Sequence, residues 1–389
     1  MLRNFGYIFM KKYTKVLVVG AGMFGSVVAE RIANDSGIPV TVLDKRAHIG
    51  GNCWSEICPV TGIEYHKYGS HIFHTSDAVV YEYISKFMSL NSYRHTVYTT
   101  CQGRVYSMPI NLDTINTYYG VNLGPEEARK FIAGEIDRDT IADPQNLEDK
   151  AVSLIGRPLY EAFIKGYTQK QWECPPRELP AYIITRLPVR YSYNNRYFSD
   201  IYEGIPVEGY AHFFDSLLKN YRISLCLNTN FSLSDKIEDD TLIVFTGPID
   251  EYFSHRLGRL EWRTLDFEYD ILDTQDYQGT AVMNYADVET KYTRVHEFKH
   301  YHPERPPVPS TLICREYSRY AGADDTPYYP INTEKNQALY KAYRELAAAQ
   351  QDVVFGGRLG SYKYLDMDDA VKAALVCYDQ EIKPRLAKR

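Results

Sequence analysis

Apolar residues fall at two distinct spacings along this chain. Val16-Leu17-Val18-Val19 is an apolar run too short for a helix, and predicts a buried strand. It enters Gly20-Ala21-Gly22-Met23-Phe24-Gly25, after which Ser26 to Ile32 takes helical spacing. Val40 to Leu43 predicts the next strand. Residues 94–109 alternate as strands do, through Thr96-Val97-Tyr98 and Arg104-Val105-Tyr106 to Pro109. From Leu112 to Arg186 the spacing becomes helical, with Gly124-Pro125-Glu126-Glu127-Ala128 as a helix start. Ala151–Ile155 and Leu159–Tyr167 predict further helices, parted by Gly156 and Pro158. The polar run Thr168 to Pro176 closes on two prolines and predicts a loop carrying Trp172. Leu242 to Phe245 predicts a strand returning to the first sheet, and Trp262 to Cys314 an antiparallel sheet. Gln337 to Ala349 follows as a helix, then a last strand, Val353-Val354-Phe355, opening into Gly356-Gly357-Arg358. Asp366-Met367-Asp368-Asp369 starts a terminal helix with acids at its positive end.

The first of these patterns carries chemistry. Strand, glycine turn, helix and strand end in Asp44, which lies 24 residues after Gly20. Gly20 permits the tight turn, Gly22 lets backbone approach a pyrophosphate, and Gly25 lets helix and strand pack closely. The helix start faces the phosphates, and Asp44 is placed to accept from a ribose hydroxyl. Lys45 to Asn52 then follows with Gly50-Gly51, which lets main chain lie flat along a second part of a long cofactor. That favours FAD over NAD, the alternative being a plain Gly-Gly turn.

Composition narrows the class. A chain of 389 residues, 44% hydrophobic and 24% charged, suits a folded protein of two or three domains. The net charge of -6 and the absence of a basic cluster argue against nucleic acid. No apolar run approaches a membrane span, and Met1 to Lys12 reads as a frayed extension without a signal-peptide core. Seven scattered cysteines with no C-x-x-C pair suit a reducing cytoplasm. Tyrosine is over-represented, at 35 against 16 phenylalanines, and a cleft lined by such rings suits sugars and nucleotides.

Three further segments are candidates. His66 to His74 packs three histidines into nine residues. The spacing of His71 and His74 admits metal ligation, yet no carboxylate-rich segment completes a site. Gly69 before them favours backbone and imidazole approaching the isoalloxazine ring, with plain packing as the other reading. Arg186, in an apolar run, and Arg294, on an expected strand, are candidate phosphate clamps or salt-bridge partners. Phe163, Tyr167 and Trp172 could form an aromatic slot for a base, although the first two could equally be core. Tyr328-Tyr329-Pro330 and Tyr362-Lys363-Tyr364 would supply hydroxyls to phosphate and sugar.

Taken together, these segments closely resemble the bacterial UDP-galactopyranose mutases, over nearly the whole chain from Lys15 to about Cys377. The strings "HKYGSHIFHT", "KGYTQKQW", "ELPAYIITRLPVR", "YTRVHEFKH", "PYYPIN" and "FGGRLGSYKYLDM" carry the resemblance. It implies an α/β protein with a discontinuous Rossmann-like FAD-binding domain (14–88, 207–258 and 338–383). It also implies an inserted helical substrate-lid domain (111–186) and an antiparallel sheet domain (89–110, 187–206 and 259–337). It implies a cytoplasmic homodimer interconverting pyranose and furanose forms of a nucleotide sugar, UDP-galactose first, without net oxidation. Reduced flavin N5 would attack the anomeric carbon and displace the nucleotide diphosphate, giving an N5-sugar adduct that opens and recloses. NAD(P)H or a flavin reductase would supply the electrons.

The resemblance also assigns residues. His71, His74, Arg186 and Arg294 are implied for catalysis. Phe163, Tyr167, Thr168 and Trp172 are implied for the base, and Arg186, Arg294, Tyr197, Asn284, Tyr329 and Tyr364 for the diphosphate. Gly20, Gly22, Phe24, Gly25, Asp44, Lys45, Gly51, Asn52, His71, Ile72, Arg358, Asp366, Met367 and Val371 are implied for FAD, with no metal. Departures from the pattern are His95 for a substrate-contacting asparagine, Ser70 for alanine or glycine, Leu365 for tyrosine, Asn194 for aspartate, and Glu173 where glycine commonly follows the lid tryptophan. They open the sugar to dTDP-fucopyranose or UDP-N-acetylgalactosamine. An amine-oxidase-like oxidoreductase and a flavin-bound scaffold without turnover are remoter alternatives.

Overall fold

In the computed structural model the described residues are 12–139, 141–184 and 189–387. The N-terminal extension up to residue 11, and Arg186, lie outside them. Lys15–Val19 forms the centre of a five-stranded sheet, with Thr241–Phe245 and Val353–Phe355 on one side and Val40–Leu43 and Ile223–Cys226 on the other. Every pairing is parallel. A parallel sheet must be covered on its faces, and the helix Met23–Arg31 buries Val27, Val28 and Ala29 for that purpose. The terminal helix Met367–Cys377 packs on the same helix and buries Val371 and Ala374.

A second sheet has seven strands, in the order Tyr329–Pro330, Trp262–Leu272, Thr311–Tyr320, Arg294–Glu297, Val282–Tyr285, Val97–Cys101 and Arg104–Met108. The expected antiparallel arrangement holds along every pairing but one: Val282–Tyr285 runs parallel to Val97–Cys101. Those two strands arrive from segments far apart in sequence, so no hairpin turn dictates their relative direction. Their junction is where the first strands of the sheet meet the later ones.

Helices Leu112–Tyr119, Pro125–Asp137 and Leu147–Ile155 form a separate core with a continuous helical run from Arg157 to Trp172. Pro125 opens its helix at the first turn, and the Glu127 carboxylate accepts from the Gly124 amide at 2.8 Å. One expectation fails here. Thr168 to Trp172 is helical rather than part of a loop, which begins only at Glu173. The polar sequence misled because its partners are tertiary: Lys170 Nζ donates to the carbonyls of Tyr285, Asp287 and Tyr292 at 2.7, 2.9 and 3.0 Å. Burial lowers the pKa of that ammonium to about 8. Among the described residues no helix is long and apolar enough to cross a membrane.

Candidate active site

At the ends of the parallel strands lies a cavity of ≈ 630 Å³. Gly20 takes φ +106° in the turn after the first strand, where a side chain would be strained. A Cβ on Gly25 would stand 2.0 Å from the Gly20 carbonyl oxygen, so the helix can rest on the turn only with glycine there. The second glycine pair folds onto the first: the Gly50 amide donates to Ala21 O at 2.8 Å, and a Cβ on Gly51 would lie 3.0 Å from Gly22 Cα. Asp44 accepts from the Ala21 and Arg46 amides, each at 2.8 Å, which fixes its carboxylate at the cavity wall. Phe24, Lys45 and Asn52 line the same cavity. Arg46 donates to Asn52 Oδ1 at 2.9 Å, which leaves the Asn52 amide protons to the space beyond.

Asp366 caps the terminal helix and Met367 begins it, both on the cavity wall. The Ala370 amide already donates to Asp366 O, so the amides a ligand can use end at Asp369. Val371 is therefore a correction: it is fully buried in the core and lines neither cavity.

A second cavity, of ≈ 1000 Å³, adjoins the first. His71, Arg358, Asp366 and Met367 line both. His71 Nδ1 lies 2.7 Å from Gly69 O, and a carbonyl can only accept, so Nδ1 carries the proton. Burial lowers the His71 pKa to about 4, so the ring is neutral and Nε2 keeps a lone pair. Its own amide donates to His66 Nδ1 at 3.0 Å, which fixes the turn. Arg358 donates to Leu365 O at 2.6 Å, with its guanidinium 4.9 Å from the Tyr364 ring centroid. Ile72 lines the second cavity only.

The second cavity gathers Tyr167, Trp172, Tyr197, Asn284, Arg294, Tyr329 and Tyr364, with His74 and His95. Asn284 and Arg294 stand directly opposite each other on neighbouring strands. Asn284 Oδ1 is buried without a hydrogen-bond partner among the described residues, an arrangement that calls for a ligand donor. Arg294 donates to the Tyr167 hydroxyl and pairs with Glu316 at 3.3 Å. His74 is turned by Asp200, 2.8 Å from Nδ1, and stacks on Phe198 at 3.7 Å. His95 is buried, meets the Tyr93 hydroxyl at 2.8 Å through Nδ1, and has its pKa lowered by burial to about 3.

Two expected base contacts are not on this wall. Phe163 packs edge-on against Tyr106 and Tyr118 in the helical core, and Thr168 is buried; neither lines the cavity. Each precedes a wall residue, Tyr167 or Trp172, by four positions, so it sits one helical turn earlier in the run, away from the cavity. Sequence reasoning in turn missed Glu316, Phe198 and Gln171, which do line it. Glu316 is opposite Arg294 in register, a pairing across 22 residues that no local pattern announces.

A Rossmann sheet whose cavity opens, at a neutral histidine, onto an arginine, a buried amide oxygen and several phenol hydroxyls defines a dinucleotide-binding enzyme acting on an anionic, hydroxyl-rich substrate. Comparison narrows that class. Residues 18–88 match the NAD(P)-binding Rossmann-like domain family and residues 162–364 the UDP-galactopyranose mutase family. A probable UDP-galactopyranose mutase of Klebsiella pneumoniae is 42% identical, covering 94% of both chains. A dTDP-fucopyranose mutase of Escherichia coli is 39% identical over 95% of this chain and 98% of its own. A crystal structure of a reduced UDP-galactopyranose mutase shares the fold at a TM-score of 0.73 and 14% identity, covering 96% of this chain and 95% of that one. The chain belongs to the UDP-galactopyranose mutase family.

Proposed function

We propose that the chain interconverts the pyranose and furanose forms of a nucleotide sugar, with FAD in the first cavity and UDP-galactose in the second. The observation that carries this reading is the junction, where His71, Arg358, Asp366 and Met367 line both cavities. One end of a long cofactor then meets one end of the substrate. FAD is supported by Gly50-Gly51, folded against Gly22 so that main chain extends the binding surface past Asp44. When bound and reduced, the flavin supplies a nucleophilic nitrogen at the junction.

The chain's own residues have separable tasks. His71 Nε2 accepts a hydrogen bond at the junction and stays uncharged, because its pKa of about 4 lies well below neutral pH. Arg294 grips the diphosphate, aided by the hydroxyls of Tyr197, Tyr329 and Tyr364; the family resemblance implies the same task for Arg186. That grip must serve the diphosphate both as leaving group and as the nucleophile that returns. Asn284 Oδ1 accepts from a substrate hydroxyl, which satisfies an otherwise orphaned oxygen. Tyr167 and Trp172 cover the base and exclude water.

Because the isomerisation has no net oxidation, a reductant such as NAD(P)H would only keep the cofactor reduced. The test compares oxidised and dithionite-reduced protein on UDP-galactopyranose, separating furanose from pyranose product. Turnover only in the reduced state is expected; equal turnover in both would overturn the reading, and net consumption of reductant would favour an oxidoreductase.

A further inference from the structure

We infer that Glu173 is a positioning residue that holds Trp172 still, so that movement of this cavity wall hinges after the tryptophan and not before it. The inference rests on the reading of Trp172 as a wall of the nucleotide pocket.

Glu173 ends the helix Gly166–Trp172 with φ +56°, in the left-handed region that glycine enters freely and other L-residues enter at a cost. Its carboxylate accounts for its presence there. Oε2 lies 2.9 Å from Nη1 of Arg263 and accepts from the Tyr320 amide at 2.8 Å. Arg263 is only 2% exposed, and its guanidinium sits 4.4 Å from the Tyr320 ring centroid. Nη2 donates to Ser318 Oγ at 3.1 Å, and that hydroxyl donates to the Gln171 carbonyl at 3.0 Å. A guanidinium so deeply placed needs a carboxylate, and breaking such a pair leaves an uncompensated buried charge. Swinging Trp172 outward would drag Glu173 away and leave Arg263 in that state.

A second anchor lies on the other side. Lys170, two residues before Trp172, holds the carbonyls of Tyr285, Asp287 and Tyr292, at the end of one strand and in the connection to the next. Trp172 is thus caught between Lys170 and Glu173. Past Glu173 the restraint changes, because Pro175 and Pro176 have no amide proton to donate. The segment Cys174–Ile183 borders the same cavity and is the part beyond such a hinge, tied instead to the helical core, where the Leu147 amide donates to Leu179 O at 2.9 Å.

The chain has three tryptophans, Trp54, Trp172 and Trp262, so 5-fluorotryptophan gives three fluorine NMR signals, assigned with Trp172→Phe. In the wild type the Trp172 signal should be narrow both without nucleotide and with UDP. Glu173→Gly relieves the backbone but removes the carboxylate; its Trp172 signal should broaden or double without UDP, while those of Trp54 and Trp262 report an intact fold. If the pinned state falls to about a tenth of molecules, UDP binds about tenfold more weakly. Glu173→Gln, which keeps the side-chain length, should show the same broadening in milder form and serves if the glycine variant does not fold. In an Arg263→Met background, Glu173→Gly should add little further broadening. A Trp172 signal already broad in nucleotide-free wild type, or a narrow one with wild-type UDP affinity in both Glu173 variants, would overturn the inference. Failure of UDP to bind the wild type would instead sink the nucleotide reading, while the nucleotide-free linewidths would still judge Glu173.

Discussion

Glu316 Oε1 lies 3.3 Å from Nε of Arg294, and the two residues face each other across adjacent strands. The other carboxylate oxygen takes the ring of His296, 3.0 Å from Nε2. Burial opposes ionisation of Glu316, yet Arg294 and His296 beside it outweigh that and hold its carboxyl below the usual range. Arg294 therefore keeps a permanent counter-ion on one edge and offers its remaining donors to Tyr167 and the cavity.

Arg294→Ala should lower kcat/KM by about 2–4 kcal/mol, the order found for truncating one partner of a buried charge contact. Arg294→Lys should recover only part, since a point ammonium lacks the planar fork. Steady-state kinetics on UDP-galactopyranose check both. Near wild-type values in Arg294→Ala would make that arginine a structural partner of Glu316 alone.

Three histidines, His66 and His95 buried and His71 half-buried, set an acid limit on stability. Burial lowers His66 to about 3, His71 to about 4 and His95 to about 3, against an ordinary value of 6.5. Each folded pKa lies below the unfolded one, so the unfolded chain binds protons first as pH falls. Their contribution is complete above about pH 6.5 and is lost progressively toward pH 4 and below, by at most about 1.4 kcal/mol per pH unit for each ring. Denaturant unfolding at pH 7, 6 and 5 should show stability falling over that range, and His95→Asn should flatten the slope. A pH-independent midpoint would contradict the lowered pKa of all three.

Gly25→Ala should abolish cofactor retention or unfold the first sheet, because the new methyl would stand 2.0 Å from the Gly20 carbonyl oxygen. The carbonyl belongs to the turn itself, so it cannot yield without moving the backbone that lines the cavity. Bound flavin per chain after gel filtration, together with Tm, measures the effect. A yellow protein with unchanged Tm would show that the helix start can shift.

His95 bears on the choice of sugar. With Nδ1 engaged by Tyr93, its neutral ring keeps only Nε2 for the cavity it lines, where asparagine offers both a donor and an acceptor. A larger ring fills the space a missing hydroxyl leaves, which favours a 6-deoxy sugar such as fucose. Discrimination against galactose should stay within about 100-fold, since an added hydroxyl is hard to exclude. Comparing kcat/KM for UDP-galactopyranose and dTDP-fucopyranose in wild type and His95→Asn tests this. An unchanged ratio would remove His95 from the specificity argument.

The sequence alone determined four strands of the parallel sheet and its glycine turns, but not the edge strand Ile223–Cys226. Val16–Val19, Gly20, Gly25 and Asp44 are bound by steric rules acting over a few residues, and those rules are written in residue type. It also placed the terminal helix start at Asp366, where acids meet the positive end of a helix. Tertiary structure decided what depends on partners far along the chain. The polar run at Thr168–Trp172 is helical because Lys170 finds three carbonyls more than a hundred residues away. The direction of Val282–Tyr285 against Val97–Cys101 was set by sheet assembly, and the roles of Phe163 and Thr168 by which helix face turned inward. Glu316 and Glu173 became partners of Arg294 and Arg263 only when strands and helix end came together. Charge pairing acts through space over a few ångströms, so spacing along the chain carries no record of it until the fold brings the two charges together.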